Sequence, residues 1–166
     1  RITQLKNTVF QFIDSGFNLS YSVILYNNDI ITTSDIGKSQ QHRQSVASII
    51  NNNNPGGGTN FVKPLQSAMQ QISNTNYDAY YILLISDGSP NEGGTPSQNF
   101  VENNIMNINS NNCIFTTPQN PCISVYTLGV DNANESILQS LSGNAINNNS
   151  QEYSFIVNAN QVSAAF

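Results

Sequence analysis

The stretch YYILLISDGSPN, residues 80–91, decides the fold of this chain when it is taken together with PGGGTN, residues 55–60. Its apolar run has no helical period and is bounded by Gly and Pro, which predicts a strand buried on both faces. That strand ends on Asp87, and Gly88 lets the chain turn away. In an open parallel sheet, ligands bind at the carboxyl ends of such strands. Asp87, with Thr59 from the Gly-rich loop, therefore predicts an oxygen-lined site for a hard cation.

Strands and helices alternate along almost the whole chain, apart from one hairpin near its start. The patterns predict strands at residues 21–26, 30–33, 79–86, 123–129 and 153–157. They predict helices over residues 2–13, 39–50, 60–72, 97–108, 132–141 and 162–166. This order favours an α/β fold, with a doubly wound, mostly parallel sheet and helices on both faces. The length of 166 residues suits one domain, which we place at residues 1–166.

Few residues of this chain are charged, and Asn is unusually abundant. Charged residues make up 9% of the chain, against about 25% in an average globular protein. Asn accounts for roughly one residue in six, with runs at residues 51–54 and 147–149 that are typical of low-complexity loop tips. The net charge is −5 and the five basic residues are scattered, which excludes nucleic-acid binding. No apolar run approaches the ~18 residues of a membrane span.

Cys113 and Cys122 flank an eight-residue loop, IFTTPQNP. A disulfide closing this loop is the favoured interpretation; two free thiols, or half of a metal site, are the alternatives. Asn-x-Ser sequons occur at Asn18, Asn134 and Asn148, and each is a potential N-glycosylation site. These features together predict an extracellular or cell-surface protein.

The sequence offers little for catalysis. The Gly-rich loop ending at Thr59 lacks the Lys that a phosphate-binding P-loop needs. His42 is the only histidine, and its Gln/Ser/Arg-rich surroundings predict a solvated surface residue. No nucleophile elbow occurs either. Because no acid/base pair or activated nucleophile can be assembled, we expect that the protein is not an enzyme.

Four segments together resemble the von Willebrand factor A domain family. They are SVILY (22–26), GGTNF (57–61), ILLISDG (82–88) and VYTLGV (125–130). They occur in the order of the family and at similar spacing, so the resemblance covers nearly the whole chain. Each segment alone is weak evidence, whereas the four in order are strong.

The resemblance implies a metal-ion-dependent adhesion site at the top of the sheet, with ligands from three loops. Thr59 matches the ligand of the second loop and Asp87 that of the third. The implied ion is Mg²⁺, or alternatively Mn²⁺ or Ca²⁺, with one position left for an acidic side chain of a protein partner. The implied function is extracellular protein binding or adhesion. The alternative is a structural building block of a filament or surface assembly whose metal site is vestigial or incomplete.

The chain departs from the family at the first loop. No Asp-x-Ser-x-Ser motif follows a first strand, and residues 14–18 (DSGFN) lack the required serines. In the family, the first strand lies between the strands that here are residues 22–26 and 82–86. Leaving that position empty costs about 1–3 kcal/mol for each unmade buried hydrogen bond. We therefore expect an N-terminally incomplete domain, with the strand supplied upstream of Arg1 or by another chain. Direct pairing of residues 22–26 with 82–86 would contradict this hypothesis.

Overall fold

The computed structural model describes residues 2–14, 19–54, 56–91, 122–131, 133–144 and 154–157. The helices in these ranges are α1 (Ile2–Asp14), α2 (Gln40–Asn52), α3 (Val62–Ser73) and α4 (Glu135–Leu141). The strands are β1 (Ile24–Tyr26), β2 (Ile30–Thr33), β3 (Ala79–Ser86), β4 (Cys122–Val130), β5 (Gly143–Asn144) and β6 (Ser154–Val157). The predicted helices at 97–108 and 162–166 lie outside the described residues. The order of the other elements follows the prediction.

The main sheet is mostly parallel, as predicted. β3 and β4 run side by side in parallel from the pair Ala79 and Cys122 to the pair Ser86 and Gly129. β6 lies parallel to β4 on its other side. The two-residue strand β5, which the sequence analysis did not predict, pairs antiparallel with β4. The fold is therefore a mixed α/β fold in which parallel strands end at the same edge of the sheet.

β1 and β2 form a separate antiparallel hairpin. Among the described strands, β1 pairs only with β2, and β3 pairs only with β4 and not with β1. The direct pairing that would contradict the missing-strand hypothesis is thus not observed. The additional strand itself stays a prediction.

Helices cover both faces of the segment 21–26, which ends in β1. On one face, Tyr26 packs against a cluster of buried side chains from α3, α4 and the main sheet. The buried members of this first cluster are Phe61, Leu65, Ile72, Tyr80, Leu84, Ile123, Val125, Leu138 and Leu141. On the other face, Tyr21 and Val23 pack against a second cluster, formed by Ile13 of α1 with Val46 and Ile50 of α2. This layering is that of a doubly wound fold.

β3 is not buried on both faces, and that prediction was wrong. Tyr80 and Leu84 are buried, whereas Tyr81 is 67% and Leu83 38% exposed. Successive side chains of a strand point to opposite faces, and the first cluster covers the face that carries Tyr80 and Leu84. The apolar run correctly predicted the strand, but a local pattern does not show which helices will cover it.

His42 was also predicted incorrectly, because its ring is half-buried rather than solvated. The ring packs at an angle against Tyr21, with 4.9 Å between the ring centroids. Its Nε2 atom lies 2.8 Å from the Tyr21 carbonyl oxygen. Gly37 leaves room for this ring, since a Cβ there would lie 2.9 Å from His42 Cγ. His42 therefore ties α2 to the segment that precedes β1.

Several predictions on modification fall partly outside the described residues. Cys122 begins β4 and is not a free thiol, but Cys113 lies outside these residues, so the disulfide between them stays a prediction. Asn18 and Asn148 also lie outside. The Asn134 side chain caps α4 by accepting a hydrogen bond from the Ile137 N–H, and its glycosylation stays a prediction.

No helix in the described ranges combines the length and the apolar character that crossing a membrane requires.

Candidate functional site

Two loops and a turn meet where β1 and β3 end. The turn at Asn27 follows β1 directly, and the Asn27 side chain donates a hydrogen bond to the Gly56 carbonyl at 2.8 Å. The Asn60 backbone N–H in turn donates to the Asn27 carbonyl at 2.9 Å. The Gly-rich loop is thus attached to the carboxyl end of β1.

The two predicted ligands, Thr59 and Asp87, are brought together in this region. A Cβ atom placed on Gly88 would lie 3.2 Å from Thr59 Oγ1, so the Thr59 hydroxyl lies beside the residue that follows Asp87. Asp87 is exposed and Thr59 half-buried. Asp87 therefore lies exposed at the carboxyl end of β3, with the Thr59 hydroxyl beside the next residue. Their role as metal ligands stays a prediction.

Asn91 holds the two loops together. Its backbone N–H donates to the Thr59 carbonyl at 3.0 Å, and its side-chain oxygen accepts from the Thr59 N–H at 2.6 Å. Both backbone groups of Thr59 are therefore bound by one residue of the loop that follows β3. The sequence analysis missed Asn91, because in so Asn-rich a chain no single Asn stands out.

The Gly-rich loop needs glycine at two of its positions. Gly57 has φ +102°, a conformation that side chains other than hydrogen disfavour. A Cβ on Gly58 would overlap the side-chain oxygen of Asn28 and lie 2.8 Å from that of Asn91. Nothing lies within 4 Å of a Cβ on Gly56. Close packing against two Asn side chains thus places Thr59.

We expect Gly58→Ala to destabilise the domain by about 1–3 kcal/mol, the usual cost of overpacking. The added methyl group displaces Asn28 and Asn91 and so weakens the attachment of Thr59. The matched control is Gly56→Ala, for which we expect a change within about 0.5 kcal/mol. Urea denaturation of both variants measures the difference. Equal stabilities would contradict the packing described for Gly58.

A buried tyrosine hydroxyl lies beneath the site. Tyr26 Oη donates to the Ile85 carbonyl oxygen at 3.0 Å and so links the end of β1 to β3. Burial raises the pKa of Tyr26 well above its ordinary value; a hydrogen bond with the Ser86 side chain lowers it and the charge of Asp87 raises it. Tyr26 is therefore a neutral hydrogen-bond donor in the folded domain.

One ion pair lies beside the site on the surface. Lys63 Nζ in α3 lies 2.6 Å from Asp29 Oδ2 in the turn after β1. This hydrogen bond holds the pKa of Asp29 below its usual value. Both side chains are exposed, so the pair contributes little stability. Its effect is to orient the turn against α3.

The donor atoms of the site fit a hard cation. Within the described part of the chain, no cluster of three His, Cys, Asp or Glu side chains is found. The available donors are the Asp87 carboxylate and the Thr59 hydroxyl, and oxygen donors of this kind suit Mg²⁺, Mn²⁺ or Ca²⁺. Mg²⁺ in particular retains several water ligands and needs only one or two protein carboxylates.

An open, mostly parallel sheet with a polar site at its strand ends defines a class of α/β binding domains. Within that class, the profile of the von Willebrand factor type A domain matches residues 1–164. The chain belongs to this family. Such domains are generally non-enzymatic binding or structural domains, and they commonly hold a divalent metal.

Several solved structures have a similar fold. Proximal thread matrix protein 1 from the mussel byssus, with zinc in its MIDAS motif, matches with a TM-score of 0.71 and 16% identity over 98% of this chain. A von Willebrand factor type A protein from Catenulispora acidiphila matches with 0.68 and 12% over 99%. BatB from Bacteroides thetaiotaomicron matches with 0.66 and 16% over 99%. At these identities the likeness shows the fold alone.

The chain spans 40% of the mussel protein, 36% of the Catenulispora protein and 84% of BatB. No curated protein matches it in sequence.

Proposed function

We propose that this domain binds a protein partner through a divalent cation held at Thr59 and Asp87. The observation that carries the proposal is the position of the Thr59 hydroxyl beside Gly88, fixed by the two hydrogen bonds of Asn91. These bonds hold Thr59 so that its hydroxyl lies beside the residue that follows Asp87. An arrangement fixed before binding loses little entropy when a ligand arrives.

Asp87 and Thr59 would contribute differently to cation binding. Asp87 supplies the negative charge that attracts the cation, and its exposure leaves it accessible. Thr59 supplies a neutral hydroxyl oxygen. The hydrogen bonds between the Thr59 backbone and Asn91 position it. Mg²⁺, Mn²⁺ or Ca²⁺ would supply positive charge, to which an acidic side chain of the partner is attracted. The remaining ligands are water and groups outside the described residues.

We place this binding outside the cell or at its surface. Supporting this are the predicted disulfide between Cys113 and Cys122 and the sequons at Asn18, Asn134 and Asn148. An adhesion role fits an exposed site at which a bound cation would attract an acidic side chain of a partner.

The expected result of a Mg²⁺ titration is a saturable shift of the backbone amide NMR signals of Thr59 and Gly88 in the millimolar range, typical of weak extracellular cation sites. The reason is that both amides lie next to the proposed donors. The signal of Asp78, at the opposite end of β3, serves as an internal reference and should not shift. A Na⁺ titration at matched ionic strength is the control. If Na⁺ produced the same shifts, the site would be merely electrostatic and the proposal would be wrong.

A second candidate is a structural building block of an extracellular filament or surface assembly with a vestigial metal site. It is favoured by the small donor set, since the described residues contain no cluster of three metal-binding side chains. Unchanged self-assembly in EDTA would support this candidate. Partner binding that is lost in EDTA would support the cation-dependent function.

A further inference from the structure

Gly88 lies at the contact between the loops that carry Thr59 and Asp87. A Cβ atom placed on Gly88 would lie 3.2 Å from Thr59 Oγ1, closer than the 3.4 Å at which ordinary van der Waals contact begins. Apart from its neighbours in the chain, no other atom of the described residues lies within 4 Å of that position. A methyl group there would therefore hold the Thr59 hydroxyl a few tenths of an ångström further away.

The backbone conformation of Gly88 does not itself require glycine. Among the described glycines, Gly57 and Gly143 have a positive φ, and Gly88 does not. Its φ is thus one that Ala can adopt. What the absent side chain of Gly88 permits is the close approach of the Thr59 hydroxyl.

Ser86 holds the β3 side of this contact in place. The Ser86 hydroxyl accepts a hydrogen bond from the Gly88 N–H and donates one to the Gly88 carbonyl oxygen, each at 3.2 Å. Ser86 is itself 7% exposed and pairs with Gly129 in the parallel ladder of β3 and β4. Gly88 is therefore fixed to the end of a paired strand, so it resists displacement by an added side chain.

The Thr59 side of the contact is held as well. Asn91, in the same loop as Gly88, binds both backbone groups of Thr59 and so keeps it against that loop. The preceding residue, Gly58, packs closely against the side chain of Asn28. Because both sides are held, the contact at Gly88 sets the distance between the Thr59 hydroxyl and the end of β3.

We propose that Gly88 is a specificity-determining residue that keeps the site narrow enough to favour Mg²⁺ over Ca²⁺. This inference rests on the proposed function, because Thr59 and Asp87 must be the donors. Mg²⁺ takes oxygen ligands at about 2.0–2.1 Å in a nearly ideal octahedron, whereas Ca²⁺ accepts about 2.3–2.6 Å and a more flexible geometry. That difference matches the few tenths of an ångström by which a methyl group on residue 88 would widen the contact.

The test compares Gly88→Ala with the unmodified protein in separate Mg²⁺ and Ca²⁺ titrations, followed by the NMR signal of the Thr59 amide. We expect the unmodified protein to bind Mg²⁺ more tightly than Ca²⁺. In Gly88→Ala, the ratio of the Ca²⁺ to the Mg²⁺ dissociation constant should fall by about tenfold or more, a usual effect of altering the groups that orient metal ligands. Gly56→Ala is the matched control, since no described atom lies within 4 Å of the Cβ that it adds. Its ratio should not change.

Ser86→Ala provides a second measurement in which Gly88 stays glycine. Loss of the hydroxyl releases both backbone groups of Gly88, so we expect the same ratio to fall, because a more flexible site suits Ca²⁺ better. Thermal unfolding in EDTA identifies the variants that are folded. A general loosening of the loops would weaken both ions by a similar factor and leave the ratio unchanged.

The outcomes separate this inference from the proposed function. An unchanged ratio in the variants that fold, or equal affinity of the unmodified protein for the two ions, would overturn the role of Gly88 and leave the cation site standing. If the unmodified protein bound neither ion, the proposed function would be wrong and this inference would fall with it.

Discussion

Asp87→Asn is expected to abolish most of the cation-dependent stabilisation of this domain. Asn keeps the size of the side chain but removes its charge, which is the main attraction for a divalent ion. Loss of even an outer-shell partner typically weakens metal binding about 10–100-fold, and a ligand should cost at least as much. When Mg²⁺ is present at 100 times its dissociation constant, its binding stabilises the folded domain by about 2.7 kcal/mol. If the substitution weakens Mg²⁺ binding 100-fold, about 0.4 kcal/mol of this stabilisation remains at the same Mg²⁺ concentration.

Thermal unfolding in Mg²⁺ and in EDTA measures this difference, since 1 kcal/mol shifts Tm by about 2–4 °C in a domain of this size. Asp78→Asn is the matched control. Asp78 is also exposed but precedes β3 at its other end, and its contact with Cys122 uses the backbone carbonyl, which the substitution retains. We expect the control to respond to Mg²⁺ as the unmodified protein does. A full response in Asp87→Asn would show that the carboxylate is not a ligand.

Phe61→Ala is expected to cause the largest loss of stability, about 3–5 kcal/mol. Phe61 is fully buried in the first cluster. Its ring lies edge-on to Tyr26, with 6.4 Å between the centroids. Removing the ring leaves a cavity where α3 meets β1, in addition to the lost transfer free energy. Since domains are stable by only about 5–15 kcal/mol, this is a large share of the total.

Urea denaturation measures the free energy of unfolding of this variant. Tyr81→Ala is the control, because it also removes an aromatic ring, but one that is 67% exposed. We expect a change within about 0.5 kcal/mol for this surface position. If both variants lost the same stability, the core would not be centred on Phe61 as the structure has it.

Much of the secondary structure could be predicted because it depends on neighbouring residues. The apolar run predicted β3 at its observed bounds, Ala79–Ser86. β4 extends one residue beyond its predicted range at each end. α4 begins at Glu135 rather than Asn132, because the side chain of Asn134 caps it. β1 is shorter than predicted; the segment before it contributes only one isolated bridge, between Tyr21 and Gly37.

The candidate site could be predicted in part. Thr59 and Asp87 were found because a strand end and a Gly-rich loop mark their positions in the sequence. Asn28 and Asn91 were not found, because their contacts with the loop join residues about 30 positions apart. Tyr26 was predicted only as the end of a strand. Its hydrogen bond to Ile85 spans 59 positions, and no local pattern encodes such a contact.

The sequence by itself determined the order of helices and strands and the two polar residues of the candidate site, one after a strand and one in the Gly-rich loop. Hydrophobic periodicity and turn residues determine local structure over a few neighbouring residues, so they can be recognised in the sequence. Only the tertiary structure decided that β1 and β3 do not pair with each other, that Tyr81 is exposed and that Asn91 fixes Thr59. These properties depend on which elements pack together, and that is set by burial and hydrogen bonding between residues distant in sequence.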